Sequence, residues 1–137
     1  MADNPGTVLA SAVDAEMAKL RQLQGDLQKL QQDLQTVLGQ QAENDMVLEE
    51  LRLLDPDDTV YKQVGPVMLQ HNVEEAKDTV QKRLEFIAGE KKKIEGKMQS
   101  KQNEGEQLAG KIQKMQKGLQ ETTAEAVRAI AAHHAQG

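Results

Sequence analysis

The stretch "TVYKQVGPVMLQH" (Thr59 to His71) governs how the rest of this 137-residue chain is read, because its sequence favours strands where the remainder favours helices. Thr, Val and Tyr suit a pleated, half-buried surface. Two such runs flank Gly65-Pro66. Glycine at the first central position of a turn and proline at the second match the dihedral signs of type II′, a common hairpin turn. Alternation puts Val60, Lys62 and Val64 on one face and Tyr61 and Gln63 on the other. After the turn, Val67 and Leu69 alternate against Met68 and Gln70. A lone two-stranded hairpin is marginal in water and leaves both outer edges unpaired. No other segment supplies a strand, so the hairpin calls for other chains, and closing several hairpins into a barrel removes the edges.

On either side the pattern changes from a period of two to alternating spacings of three and four. From Val13 one seam series is Val13, Leu20, Leu27, Leu34, Gln41 and Leu48, and the other is Glu16, Leu23, Leu30, Val37, Asn44 and Leu51. This is a coiled-coil repeat with a polar patch at Gln41 and Asn44. "SAVD" (Ser11 to Asp14) reads as a capping box, and Pro56 in "DPDD" stops the helix, predicting helix 1 over about 12–54. The second repeat starts at "NVEE", where Asn72 caps and Glu75 completes the box. It continues through Val73, Val80, Ile87, Ile94, Lys101, Leu108, Met115 and Thr122, with Lys77, Leu84, Lys91, Met98, Gly105, Ile112, Leu119 and Ala126 as the companion series. Helix 2 is predicted over about 73–127, the hairpin over about 59–71, and the termini as flexible. Two long amphipathic helices joined by a short segment fold back as an antiparallel pair, burying both stripes in one chain. The expected class is mainly α: a long antiparallel two-helix coiled coil with one central β-hairpin that joins an intersubunit β-barrel, in a single domain spanning 1–137. Interior glycines (Gly89, Gly96, Gly105, Gly110, Gly118) and the seam lysines predict a looser outer half.

Composition supports this design. The only aromatics are Tyr61 and Phe86, and cysteine is absent, so a thick core, a disulfide framework and a thiolate metal site are all excluded. No apolar run approaches the roughly 20 residues that span a bilayer, and "MADNPGTVLASAVDAEM" carries no basic region followed by an apolar one, which predicts a soluble, cytoplasmic protein. The net charge of −5 is unevenly spread. Met1 to Asp58 holds 4 Lys+Arg against 12 Asp+Glu, and Thr59 to Gly137 holds 13 against 10. Such a chain is a poor nucleic-acid binder, since that affinity rests on neutralising phosphates.

Four motifs come close to a chemical site and fall short. "GEQLAGKI" (Gly105 to Ile112) has the glycines and lysine of a phosphate-binding loop, but Ile112 stands where a hydroxyl would meet Mg²⁺, and no strand precedes it. "DPDD" lacks the central Gly and terminal Glu of a calcium loop and reads as a helix stop. His133-His134 has no third or fourth metal ligand. "EKKKIEGK" (Glu90 to Lys97) reads as a solvated helix face. A two-helix design encloses no catalytic pocket, so no catalytic residue, metal or cofactor is assigned and an enzyme is not expected.

The run "NDMVLEELRLLDPDDTVYKQVGPVMLQHNVEEAKDTVQKRLEFI" (Asn44 to Ile87) resembles the prefoldin β-class family through "EEL", "LLD", the strand ending before "GPV", and "A..TV.KRL" leading into helix 2. The resemblance implies a chaperone subunit within a hexamer of two α-class and four β-class chains. Its hairpins would build a barrel platform, with Val60, Tyr61, Val64, Gly65, Pro66, Val67, Met68 and Leu69 as the interface. It further implies ATP-independent holding of unfolded polypeptides, notably actin and tubulin, and their transfer to the cytosolic group II chaperonin. Val8, Leu9, Val13, Met17, Ile112, Met115, Leu119, Val127 and Ile130, at the distal ends, would touch client. A second reading stays open at this point: a tethering coiled coil whose middle segment is only a hinge.

Overall fold

The computed structural model describes residues 4–136, with Gln136 described by its backbone alone. Helix α1 (Pro5–Arg52) leads to strands β1 (Thr59–Val64) and β2 (Val67–Asn72), and helix α2 (Val73–Gln136) follows. The fold is therefore mainly helical, with one antiparallel hairpin. The chain divides into two compact units: residues 30–98, and residues up to 29 together with those from 99 onward.

In the 30–98 unit the strands pair from Thr59↔Asn72 to Val64↔Val67, leaving Gly65 and Pro66 as the two-residue loop. Gly65 has φ +58°, the left-handed region that a side chain disfavours, and it is followed by a proline confined to negative φ, as the II′ reading requires. Below the hairpin Leu48, Leu51 and Val80 form a buried cluster, against which Val60, Ala76 and Leu84 pack. Val60 thus ties the sheet to both helices. Each such side chain stabilises by roughly 1.5–3 kcal/mol when fully buried.

The segment from Arg52 to Thr59 closes on itself. The Leu53 and Leu54 amides donate to the Glu50 and Leu51 carbonyls, tightening the last turn of α1. The Asp55 amide donates to the Asp58 carboxylate at 2.8 Å, and the Asp58 amide donates to the Asp55 carbonyl at 3.0 Å. The acidic run is a turn held by its own carboxylate. At the start of α2, the Glu75 amide donates to Asn72 Oδ1 at 2.8 Å, which satisfies one of the orphan donors of the helix. The expected reciprocal half of the box is replaced: the Glu75 carboxylate lies 3.6 Å from His71 Nδ1. Asn72→Ala should lower stability by about 1 kcal/mol, read as a shifted denaturant midpoint with unchanged slope.

In the other unit the two helices also run antiparallel. Leu9 packs over Gly118, Glu16 pairs with Lys111, and Asp26 pairs with Lys101, so the partner number falls as the α1 number rises. Val13 and Ile112 are buried. In both units most positions of the predicted seam have restricted exposure, including its polar members Gln41, Asn44, Lys77, Lys91 and Lys101; Ala126 is exposed, and a few positions off the series, such as Asp26, Ala76 and Glu90, are also partly covered.

Two helix boundaries differ from expectation. Helix α1 starts at Pro5 rather than near residue 12, and Ser11 lies inside it. Asn4 is the cap: its Oδ1 accepts from the Thr7 amide at 2.7 Å, and Pro5 takes the first helical position, where no amide hydrogen is needed. Helix α2 continues past 127 to Gln136 because "AEAVRAIAAHHAQ" is rich in alanine and contains neither glycine nor proline. Residues 5–11 and 128–136, expected to be flexible, are thus helical; residues 1–3 and 137 lie outside the described residues.

Candidate functional site

Two surfaces carry apolar side chains that the chain does not cover. The first is the hairpin. Tyr61, Val64, Val67, Met68 and Leu69 are each exposed, Met68 by 60%, and only Val60 among the predicted interface residues is partly covered. The sheet has two strands, so among the described residues each strand keeps one edge of free N–H and C=O groups. The register places Val60, Val64, Val67 and Leu69 on one face with Lys62, and Tyr61 and Met68 on the other. Both faces therefore offer apolar contacts, and both edges offer hydrogen bonds. That combination suits burial within a larger sheet.

The second surface lies on the unit that holds the two chain ends. Val8, Val127 and Ile130 are well exposed and Met17 marginally so, whereas Leu9, Met115 and Leu119 are half-buried. Val13 and Ile112, expected at the client surface, are instead seam residues at 5% and 7% exposure. Their phase explains the difference. Apolar residues on the seam meet the partner helix, and only those off it reach solvent. The same rule reveals exposed apolar residues that the sequence reading passed over, among them Met46, Val47 and Phe86 in the 30–98 unit.

Two ion pairs cross between the helices in this second unit. The Glu16 carboxylate accepts from Lys19 Nζ at 3.1 Å and lies 3.4 Å from Lys111 Nζ on the other helix, with only 12% of its side chain exposed. The Lys19 hydrogen bond, aided by the Lys111 charge and opposed by burial, holds its carboxyl below the usual range. A lowered folded pKa means that stability is present above the ordinary value of 4.5 and is lost as pH falls through the lowered one. The thermal midpoint of the protein should therefore exceed that of Glu16→Gln near neutrality, and the gap should close in acid.

Comparison with known proteins addresses what such a hairpin and helix pair belong to. The family model described as Prefoldin subunit matches residues 14–119, which include both strands and most of both helices. The chain belongs to the prefoldin family. Prefoldin subunit 6 of Mus musculus is 34% identical over 117 residues, covering 85% of this chain and 92% of the mouse protein. Prefoldin subunit 6 of Arabidopsis thaliana is 36% identical over 101 residues, covering 74% of this chain and 78% of that one. The crystal structure of the prefoldin beta subunit from Thermococcus strain KS-1 superposes with a TM-score of 0.73 at 24% identity, covering 75% of this chain and 90% of that chain, and so shares its fold. As a prefoldin subunit the chain is a chaperone component rather than an enzyme, and it assembles with other prefoldin subunits. Among the described residues no helix is long and apolar enough to cross a membrane.

Proposed function

We propose that the hairpin closes into an intersubunit β-barrel with the hairpins of α- and β-class prefoldin subunits, and that the unit at the chain ends holds unfolded polypeptides. Clients of the actin and tubulin type are held without ATP and passed to the group II chaperonin in the cytoplasm. The observation that carries the reading is the pairing of an uncovered apolar hairpin with an uncovered apolar surface elsewhere on the same chain. The hairpin's free edges and exposed Tyr61, Val64 and Met68 suit assembly. Val8, Met17, Val127 and Ile130 suit client contact, with half-buried Leu9, Met115 and Leu119 beside them; Val13 and Ile112 join only when the seam opens. Client contacts of this kind are individually weak, and several subunits acting together raise the effective affinity without a deep pocket. Methionine adds adaptability, since its side chain is flexible and polarisable.

Deleting Met1 to Met17 together with Gly118 to Gly137 tests the assignment. The truncated chain should still enter the six-chain complex, measured by native mass, while suppression of client aggregation falls. Unchanged suppression would remove the chain ends from client binding. Failure to form any complex with the α-class partners would favour a tether.

A further inference from the structure

One side of the 30–98 unit carries a feature that the chain-end surface does not use and that meets the hairpin only at its edge nearest the helices. Two hollows share Thr79 and Arg83 as walls and so form one groove. The first, about 190 Å³, lies between the hairpin and the helices and is lined by Val47 and Tyr61 among others; the second, about 580 Å³, is bordered by Phe86. Phe86, one of the two aromatic residues of the chain, borders this groove at 70% exposure. Exposed aromatic side chains beside a hollow are the residue type that dominates binding energy at interfaces.

The charge of the lining is one-sided. Lys62, Lys82 and Arg83 contribute cations and no carboxylate lines either hollow, although the chain as a whole carries −5. Lys82 is engaged by Asp78 at 3.0 Å. Lys62 and Arg83 have no carboxylate within 4.0 Å among the described residues. We propose that this groove docks an acidic peptide segment bearing an aliphatic or aromatic anchor. The anchor enters the smaller hollow against Val47, a carboxylate meets the Arg83 guanidinium, and a second apolar side chain lies on Phe86. A nucleic acid fits poorly, because three cations neutralise too little phosphate and the smaller hollow is apolar.

The test is an anisotropy titration of a labelled synthetic peptide, alternating Glu with Leu and Phe, against the full chain alone and then assembled with other prefoldin subunits. The isolated chain reports on the groove independently of the barrel reading. Binding is expected in both forms, weaker at high salt, and lowered about tenfold or more by Arg83→Glu and by Phe86→Ala. Both positions are exposed, and matching helical circular dichroism shows that the variants are folded. The proposal is overturned if the isolated chain does not bind, if a lysine-for-glutamate peptide binds equally well, or if both folded variants keep full affinity. Loss of binding on assembly would also overturn it, because the groove would then be covered by a neighbouring subunit.

Discussion

Replacing Val80 by aspartate is expected to unfold residues 30–98. Val80 is 6% exposed and packs with Leu48 and Leu51, so an aspartate there places a carboxylate against that hydrocarbon cluster. An unpartnered buried charge costs about 3–5 kcal/mol, a large part of the 5–15 kcal/mol that holds a whole domain together. Val80→Ala, which only removes methyl groups, should cost about 2 kcal/mol. Hydrogen exchange read across the chain checks this: amides of residues 30–98 lose protection in Val80→Asp and keep most of it in Val80→Ala. Equal protection in the two variants would show that the cluster does not hold the unit. The hairpin should melt with the cluster, because Val60 is its anchor there and a two-stranded sheet is marginal alone.

The second large effect concerns assembly. Val64→Lys combined with Met68→Lys should leave the isolated chain folded, since both side chains are about half exposed or more (48% and 60%). In the proposed barrel the same positions are buried on opposite faces, and two lost apolar side chains at roughly 1.5–3 kcal/mol each correspond to about 10²-fold to 10⁴-fold weaker association. Two added charges in a closing sheet make this worse. Native mass measurement with the α-class partners should show free chain in place of a six-chain complex. A complex of normal mass and stability would mean that the hairpin does not carry assembly.

The helix seam was readable residue by residue. Val13, Leu48, Leu51, Val73, Val80, Ile87 and Ile112, the buried side chains, all fall on the predicted series, because a period of 3.5 fixes which side of a helix faces its partner. The hairpin was equally legible, since Gly65-Pro66 allows few loops and the strand register follows from a two-residue turn. Helix ends were less so. Asn4-Pro5 is a cap followed by a first-turn proline, yet "SAVD" offered a competing signal nearer the first seam residue, and Leu9, ahead of that signal, packs over Gly118 of the other helix. The burial of Val13 and Ile112, named among the candidate contact residues, went unread for a related reason. Closeness to the chain ends was weighed there without phase, and phase separates a seam residue from one that meets solvent. The groove beside Phe86 was not legible, because it joins residues from α1, the hairpin and α2 that nothing in the linear pattern links.

The hairpin's uncovered strands also bear on what happens before any partner is met. A newly made chain displays free strand edges beside exposed Tyr61, Val67 and Met68, which form a template for pairing with whatever strand arrives first. Partners and misplaced neighbours compete for that template by mass action. Supply of this chain must therefore be matched to supply of its companions. Copies made in excess are the ones exposed to aggregation and clearance, so the hairpin acts as a gauge of subunit balance.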